Sequence, residues 1–141
     1  MSLNEEQPAE YRELLARAAE GLSRAYAPHS GFPVAAVILT TDGREFLGVN
    51  IENASYGLSL CAERAALANM VASLGPSARI ALLALVSEKS NPCYPCGACR
   101  EMLYPFTTDS TQLLLKAEDG EGIVVLRFRD MLPHPFSEEG K

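Results

Sequence analysis

The sequence lacks two features that would point to a membrane or a nucleic acid as partner. No apolar run approaches the roughly 20 residues of a membrane-spanning helix, because the longest, residues 80–86, meets Ser87 after seven positions. Basic residues are also in the minority, since 12 Lys and Arg against 18 Asp and Glu give a net charge of −6. Proteins that bind nucleic acids gain most of their affinity by neutralising phosphates with Lys and Arg. We therefore expect no nucleic acid and no membrane as a partner.

The first residues, MSLNEEQPAEYRELL, lack the basic start and apolar core of a secretory signal. We therefore expect a cytoplasmic protein, in which thiols stay reduced. Under reducing conditions the four cysteines favour metal binding or catalysis over disulfide bridges.

Length and composition are those of an ordinary globular protein. The 141 residues are 48% apolar and 21% charged, and they contain no repeat, low-complexity segment or linker. This length suits one domain of common size better than two. We expect residues 1–141 to form a single domain.

The periodicity of apolar residues predicts three helices. The first runs from Ala9 to Tyr26, where apolar residues recur every three or four positions until Pro28. The second is rich in alanine and runs from Cys61 to Leu74, before Gly75-Pro76. A short third helix runs from about Gly97 to Tyr104.

Five segments rich in apolar and β-branched residues predict strands. They are Phe32–Thr40, Glu45–Val49, Arg79–Ser87, Gln112–Ala117 and Ile123–Phe128. A helix, two strands and then strands alternating with helices predict an α/β fold, with a mixed five-stranded sheet and helices on both faces. The polar stretch from Asn50 to Leu60 is predicted to be irregular, and loops of this kind beside a rigid scaffold often carry function.

Three of the four cysteines lie in NPCYPCGACR, residues 91–100. Cys96 and Cys99 are at the start of the short predicted helix, and Cys61 opens the alanine-rich one. Helix N-termini stabilise thiolates, so these three sulfurs are placed to meet at one centre. Three protein ligands with an open fourth position are typical of catalytic zinc. We expect Zn²⁺ to be the cofactor.

Two charged residues follow Cys61 on its helix. We expect Arg64, three positions along, to donate hydrogen bonds to the ligand sulfurs and to offset their negative charge. Glu63 lies in a first helical turn that is expected to be buried, where a carboxylate is unfavourable without a partner or a task. Acidic residues also occur in first turns merely to interact with the helix dipole, but beside three thiols we favour a general acid and base.

Cys93 leaves two readings of the metal site open. Four cysteines are enough for a closed structural Cys₄ cage, in which Cys93 would be the fourth ligand. Pro92 and Pro95 hold its neighbourhood extended, and it precedes the predicted helix. We favour Cys93 as a spare thiol over the cage.

Two motifs resemble those of a known family. CAER, Cys61–Arg64, followed by PCGACR, Pro95–Arg100, resembles the cytidine deaminase family, and specifically its small homotetrameric zinc-dependent branch. The resemblance continues in AYAPHSGFPVAA, in GVNIENASYGLSLCAER and in the LPHPF tail, and it covers essentially the whole chain in order. It implies a three-layer α-β-α sandwich.

The resemblance implies an enzyme of pyrimidine salvage. The reaction is hydrolytic deamination of cytidine and 2′-deoxycytidine to uridine and 2′-deoxyuridine, with release of ammonia. Glu63 would be the catalytic residue that moves protons during this reaction. The resemblance also implies that Asn50 and Glu52 bind the ribose 3′-hydroxyl, that Phe32 stacks near the base, and that the backbone of Ala62 contacts the pyrimidine.

The resemblance further implies a homotetramer whose subunits share active sites. In that arrangement Tyr56 and Phe136 reach the active site of a neighbouring subunit. The partners of the chain would then be a small nucleoside substrate and further copies of itself.

Three positions depart from the family pattern. His29 replaces a frequent tyrosine, Ala35 a usual glycine, and Glu101 a common glutamine. We expect the methyl group of Ala35 to change the shape of the pocket. We also expect Glu101 to pair with Arg64 and so to weaken the effect of Arg64 on the sulfurs.

Three other functions compete with this one. The first is deamination of a modified nucleoside or of an aminoacyl-nucleoside antibiotic such as blasticidin S. The second is a non-catalytic binding protein with a Cys₄ zinc cage, which gives no role to Glu63. The third is editing of nucleic acids, which the acidic charge disfavours.

Overall fold

The computed structural model describes residues 7–136. Its helices are α1 (Ala9–Gly21), α2 (Ala62–Leu74) and α3 (Gly97–Leu103). Its strands are β1 (Val34–Thr40), β2 (Glu45–Val49), β3 (Ile80–Ser87), β4 (Thr107–Lys116) and β5 (Ile123–Arg127). Short 3₁₀ helices cover Leu22–Arg24, Tyr56–Leu58, Tyr104–Phe106 and Phe128–Met131.

The strands form one five-stranded sheet in the order β2-β1-β3-β4-β5. The β3–β4 pair is parallel, and the other three pairs are antiparallel. The parallel pair requires a crossover, and the chain makes it through α3. The predicted mixed five-stranded sheet is confirmed.

Helices cover both faces of the sheet because side chains alternate along each strand. On one face, Ala35 and Val37 of β1 pack with Leu14 and Ala18 of α1. On the other face, the buried residues of β1, α2 and α3 form one cluster, which includes Ala36, Ile38, Ala62, Ala66, Leu67, Met70 and Leu103. The result is the three-layer α-β-α sandwich that the sequence led us to expect.

The first helix is shorter than predicted. It ends at Gly21 and becomes a 3₁₀ turn, although the apolar periodicity continues to Tyr26. The backbone N–H of Tyr26 donates to Asn50 O at 3.0 Å, and its carbonyl accepts from Glu52 N at 2.8 Å. Pairing with the loop after β2 therefore draws this segment out of the helix. The periodicity of apolar residues carries no information about backbone pairing with a segment that is distant in the sequence.

Strand β4 begins at Thr107 and not at the predicted Gln112. Its first residues, TTDS, are polar and show no apolar alternation. They belong to the strand because Thr107 pairs with Ile80, after which the register shifts. Within this irregular stretch, the hydroxyl of Thr111 donates to Ile80 O at 2.5 Å.

Helix α2 lies unusually close to β2. A Cβ atom at Gly48 would lie 2.3 Å from both Ala62 O and Ala66 N. These are backbone atoms, so they cannot move without displacing the start of α2. Only glycine permits this approach, and it sets the position of the residues that open α2.

No helix within residues 7–136 is long and apolar enough to cross a membrane.

Replacing Gly48 with alanine should push α2 away from the sheet. We expect the free energy of unfolding to fall by about 2–3 kcal/mol, a typical effect of overpacking. Denaturant unfolding of the zinc-loaded chain measures it. The control is Gly57→Ala, because a Cβ atom at Gly57 has no neighbour within 4 Å. Equal stability of the two variants would contradict the close approach.

Candidate active site

The N-termini of α2 and α3 bring three sulfur atoms together. Cys61 is the N-cap residue of α2 and Cys96 that of α3, both with extended backbone. Cys99 is buried in α3. The three sulfurs lie within 4.8 Å of one another. Each helix thus presents a sulfur beside the unpaired N–H groups of its first turn, where negative charge is favoured.

The spacing of these sulfurs fits a zinc ion. Tetrahedral zinc with Zn–S bonds of about 2.3 Å holds two sulfurs about 3.8 Å apart. The Sγ atoms of Cys61 and Cys96 are 3.8 Å apart. Together with Cys99, the cluster offers three sulfur atoms, one fewer than a closed tetrahedral Cys₄ site requires.

The environment of Cys61 favours its thiolate. A hydrogen bond from Cys99 is the main cause that lowers the pKa of Cys61 to about 5, and Arg64 contributes. The same hydrogen bond, together with burial, raises the pKa of Cys99. One sulfur of the cluster therefore ionises readily while its neighbour keeps its proton. Such a proton is released when a metal binds.

Arg64 lies one turn into α2 with its guanidinium on the cluster. Its Nη2 atom is 3.5 Å from the Sγ atom of Cys61, and this contact raises the pKa of Arg64. The Nε atom is buried without a hydrogen-bond partner within residues 7–136. The structure therefore places a fixed positive charge beside the three sulfurs.

Glu63 is 4% exposed, although it is a carboxylate. Burial is the main cause that raises its pKa to about 7, and the nearby Cys61 adds to the effect. A carboxyl group with a pKa near neutrality can both accept and donate protons. Glu63 lies within two residues of Cys61, so this capacity is located beside the sulfur cluster.

A cleft of 340 Å³ opens onto the cluster. Seven of the residues predicted for the site line it: Phe32, Asn50, Glu52, Cys61, Ala62, Glu63 and Cys96. The other residues of its wall are Ser30, Val34, Cys93 and Tyr94. Cys99 lies behind the wall, buried in α3.

Asn50 joins two segments of the cleft wall. Its Oδ1 atom accepts from Val34 N at 2.9 Å, and its Nδ2 atom donates to Phe32 O at 3.0 Å. The side chain of Asn50 thereby fixes the backbone on both sides of Pro33. It has a structural task in addition to the predicted contact with ribose.

Glu52 anchors the turn that precedes Phe32. Its carboxylate accepts from the backbone N–H groups of His29 and Ser30 at 2.9 and 3.0 Å, and from the hydroxyl of Ser30. The hydrogen bonds from Ser30 are the main cause that lowers the pKa of Glu52. The hydroxyl of Ser30 also accepts from Phe32 N at 3.0 Å. Ser30 therefore links Glu52 to the predicted base-stacking residue, a role that sequence analysis missed.

Tyr56 and Phe136 are outside this cleft in the single chain. Tyr56 is 77% exposed and lines an adjoining hollow. Phe136 is 76% exposed at the end of the described chain. Neither ring takes part in the cleft of its own chain.

Cys93 is not a member of the sulfur cluster. Its thiol is half-buried in the cleft wall, and burial is the main cause that raises its pKa to about 11. The sulfur of Cys93 therefore does not form a four-sulfur cage with those of the other three cysteines. Sequence analysis favoured Cys93 as a spare thiol, in agreement with this geometry. It did not single out Tyr94, because loop positions between prolines carry no periodic signal.

Two expectations about the residues that depart from the family pattern are wrong. The methyl group of Ala35 packs in the core against α1, on the opposite face of the sheet from the cleft, so it does not shape the pocket. Glu101 makes no ion pair with Arg64 within residues 7–136. It accepts a hydrogen bond from Phe136 N at 2.8 Å. His29, the third departure, meets the ring of Tyr56 edge to face.

The chain matches proteins of one family. Residues 8–115, which include all four cysteines, match the family described as cytidine and deoxycytidylate deaminase zinc-binding region. The chain is 44% identical to the cytidine deaminase of Mycoplasma pneumoniae over 100 residues, which are 71% of this chain and 74% of that protein. It is 36% identical to the cytidine deaminase of Sporosarcina psychrophila over 127 residues, which are 90% and 91% of the two chains. The crystal structure of cytidine deaminase from Burkholderia pseudomallei superposes with a TM-score of 0.81 at 38% identity, covering 89% of this chain and 98% of that one.

The geometry predicts different results for two cysteine substitutions. Cys93→Ser should leave about one zinc per chain, because its sulfur is outside the cluster. Cys99→Ser should lose most of the bound metal, because it removes one of three ligands. Metal analysis by mass spectrometry after dialysis measures both, with the unfolding midpoint as a check that each variant folds. Loss of zinc from Cys93→Ser would restore the four-sulfur cage.

Proposed function

Since the chain belongs to the cytidine and deoxycytidylate deaminase family, we propose that it catalyses hydrolytic deamination of cytidine and 2′-deoxycytidine to uridine and 2′-deoxyuridine, with release of ammonia. The chain is an enzyme, a hydrolase that acts on a C–N bond, and its cofactor is Zn²⁺. One observation carries the proposal: a buried carboxyl group stands beside three convergent sulfurs in a cleft that also contains hydrogen-bonding side chains.

In this proposal Cys61, Cys96 and Cys99 hold the zinc, and Arg64 offsets their charge. When bound, the metal supplies Lewis-acid activation of water near neutral pH. Because Arg64 is fixed against Cys61, it draws electron density from a sulfur that would otherwise weaken this activation.

Glu63 moves the protons of the reaction. It accepts a proton from the attacking water and delivers it to N3 of the pyrimidine as the new C4–O bond forms. It then takes the remaining proton from the new C4 hydroxyl and passes it to the amino nitrogen, which leaves as ammonia when the C4–N bond breaks and the C4 carbonyl of the product forms. The burial of Glu63 supports this role, because it raises the pKa of the carboxyl group to about 7, a value suited to both directions of transfer.

The cleft wall supports recognition of a free nucleoside. We assign the base to Phe32 and the backbone of Ala62, and the ribose 3′-hydroxyl to Asn50 and Glu52. All four line the cleft, whose volume of 340 Å³ is at the lower end of the range for small-molecule sites. The carboxylate of Glu52 would repel a phosphate at the same place, which favours the nucleoside over its nucleotide.

We further propose a homotetramer in which Tyr56 and Phe136 complete the site of a neighbouring copy. Several large apolar side chains are exposed: Tyr26, Ile51, Tyr56, Leu58, Tyr94, Met102 and Phe136. Single exposed apolar residues are ordinary, but seven of them, of which Tyr94 lines the cleft and Tyr56 an adjoining hollow, support an interface.

Residues 1–141 would form one domain that acts in the cytoplasm, in pyrimidine salvage. The thiolates of the site support this location, because a reducing compartment keeps them available for zinc. The alternative substrate, an antibiotic such as blasticidin S, loses one of its arguments because Ala35 faces away from the cleft.

Ultraviolet absorbance tests the proposal on cytidine, 2′-deoxycytidine and blasticidin S with zinc-loaded protein. We expect rapid turnover of the first two substrates and little of the third. A preference for blasticidin S would indicate that the chain is instead a deaminase of aminoacyl-nucleoside antibiotics. Full zinc content without turnover of any of the three would contradict the proposed reaction.

Glu63→Gln should separate chemistry from metal binding. We expect zinc to stay at one per chain and kcat to fall roughly 100- to 10,000-fold, as when a general acid and base is lost. Glu118→Ala is the matched control, because it removes an exposed carboxylate from the β4–β5 turn. Undiminished kcat in the zinc-loaded Glu63→Gln variant would remove Glu63 from the mechanism.

A further inference from the structure

The loop between β3 and α3 is held by hydrogen bonds at both of its ends. At its start, Oδ1 of Asn91 accepts from Ser87 N at 3.1 Å, and Nδ2 of Asn91 donates to Ser87 O at 3.0 Å. At its end, the guanidinium of Arg100 donates from Nε to Pro95 O at 2.7 Å. Pro92 and Pro95 further restrict the backbone. The two residues between these prolines are therefore held in fixed positions.

The side chain of Cys93, the first of these two residues, lies between the core and the cleft. It packs against the hydrophobic cluster between the sheet and helices α2 and α3, and it lines the cleft. Burial is the main cause that raises the pKa of Cys93 to about 11, and the nearby charges of Glu63 and Cys61 add to it. The thiol is thus neutral near pH 7 and acts as a small apolar side chain. It presents this surface to the cleft near the carboxyl group of Glu63.

The wall of the cleft leaves one edge of the pyrimidine for the loop that carries Cys93. The wall consists of residues from four segments, 30–34, 50–52, 61–63 and 93–96. The proposed function assigns the first segment to the face of the base, the second to the ribose, and the third to N3 through Glu63. In a pyrimidine, C4 lies between N3 and C5, so the C5 edge is opposite the N3 edge. The fourth segment is the one that remains to border C5.

We propose that Cys93 is a specificity-determining residue that contacts the C5 edge of the pyrimidine and limits the size of a substituent at C5. The inference rests on the proposed function, and it narrows the substrate class to cytosine nucleosides with hydrogen or a small group at this position. The core behind Cys93 is close-packed, so the wall does not yield to a larger substituent. The size of the side chain at this position therefore sets the space beside C5.

Protection of the thiol by a nucleoside tests the contact without relying on turnover. Within residues 7–136, Cys93 is the cysteine outside the sulfur cluster, so methyl methanethiosulfonate should modify it first in zinc-loaded protein. Peptide mass spectrometry locates the modification. Uridine at about ten times its dissociation constant should slow the modification about tenfold, because bound uridine covers the thiol. Uridine that inhibits cytidine turnover without protecting Cys93 would overturn the contact.

Substrate preference tests the role of side-chain size. The measured quantity is the kcat/KM for 5-methylcytidine divided by that for cytidine. We expect Cys93→Ala to raise this ratio and Cys93→Leu to lower it, each by about tenfold, a typical effect of one methyl group in an apolar pocket. Cys93→Ser nearly keeps the size and should leave the ratio within about twofold of the parent value. A shift in Cys93→Ser as large as that in Cys93→Ala would overturn the role of size.

A second ratio separates specificity from general damage to the site. The ratio of kcat/KM for 2′-deoxycytidine to that for cytidine should stay within about twofold in all three variants, because these substrates differ only at the ribose. Equal losses for all substrates would indicate a merely structural role and overturn the proposal. If Cys93→Leu did not fold, Cys93→Ala would still test the proposal in the opposite direction.

The parent chain distinguishes failure of this inference from failure of the proposed function. If the parent chain turned over no cytidine, the proposed function would fail and this inference with it. An active parent chain whose 5-methylcytidine ratio is unchanged in Cys93→Ala and Cys93→Leu would overturn this inference alone.

Discussion

The candidate site depends on the close meeting of two helix N-termini. The crossover from β3 to β4 brings the start of α3 to the start of α2, and Gly48 lets α2 approach the sheet at backbone distance. Cys61 and Cys96 occupy the N-cap positions of these two helices. Their sulfurs are therefore held by the backbones of rigid elements and not by flexible side chains alone, which suits a metal site of defined geometry.

The negative charge of the sulfur cluster explains the positions of the charged residues around it. Three thiolates around a divalent cation leave a net negative centre, and Arg64 lies against Cys61 to offset it. Glu63 is buried beside the same centre and retains a raised pKa, so it exchanges protons near neutrality. The side chain of Asn50 donates a hydrogen bond to Phe32 O. The carboxylate of Glu52 accepts a hydrogen bond from the backbone N–H of Ser30, in the turn before Phe32. The sulfur cluster, the buried carboxyl group and the wall of the cleft are thus adjacent parts of one site.

The general architecture and the sulfur cluster were predictable from local patterns in the sequence. The other cleft residues, Phe32, Asn50, Glu52 and Ala62, were predicted only from the family resemblance. Segments rich in apolar and β-branched residues predicted the sheet, and cysteines at helix starts predicted the cluster. Long-range pairing was not predictable: it shortened α1 at Gly21 and extended β4 back to Thr107. The direction of Ala35 and the partner of Glu101 were wrong for the same reason, since each depends on which residue lies across space. Ser30 had no periodic signal, and its bonds to Glu52 appear only in three dimensions.

X-ray absorption at the zinc edge tests the central claim most directly, that three sulfurs hold a metal with one corner open to the cleft. The account predicts three sulfurs at about 2.3 Å and one oxygen or nitrogen at about 2.0 Å. Addition of a nucleoside should alter the lighter ligand and leave the three sulfurs unchanged. Four sulfurs around zinc, unchanged by nucleoside, would contradict the account and indicate a closed structural site.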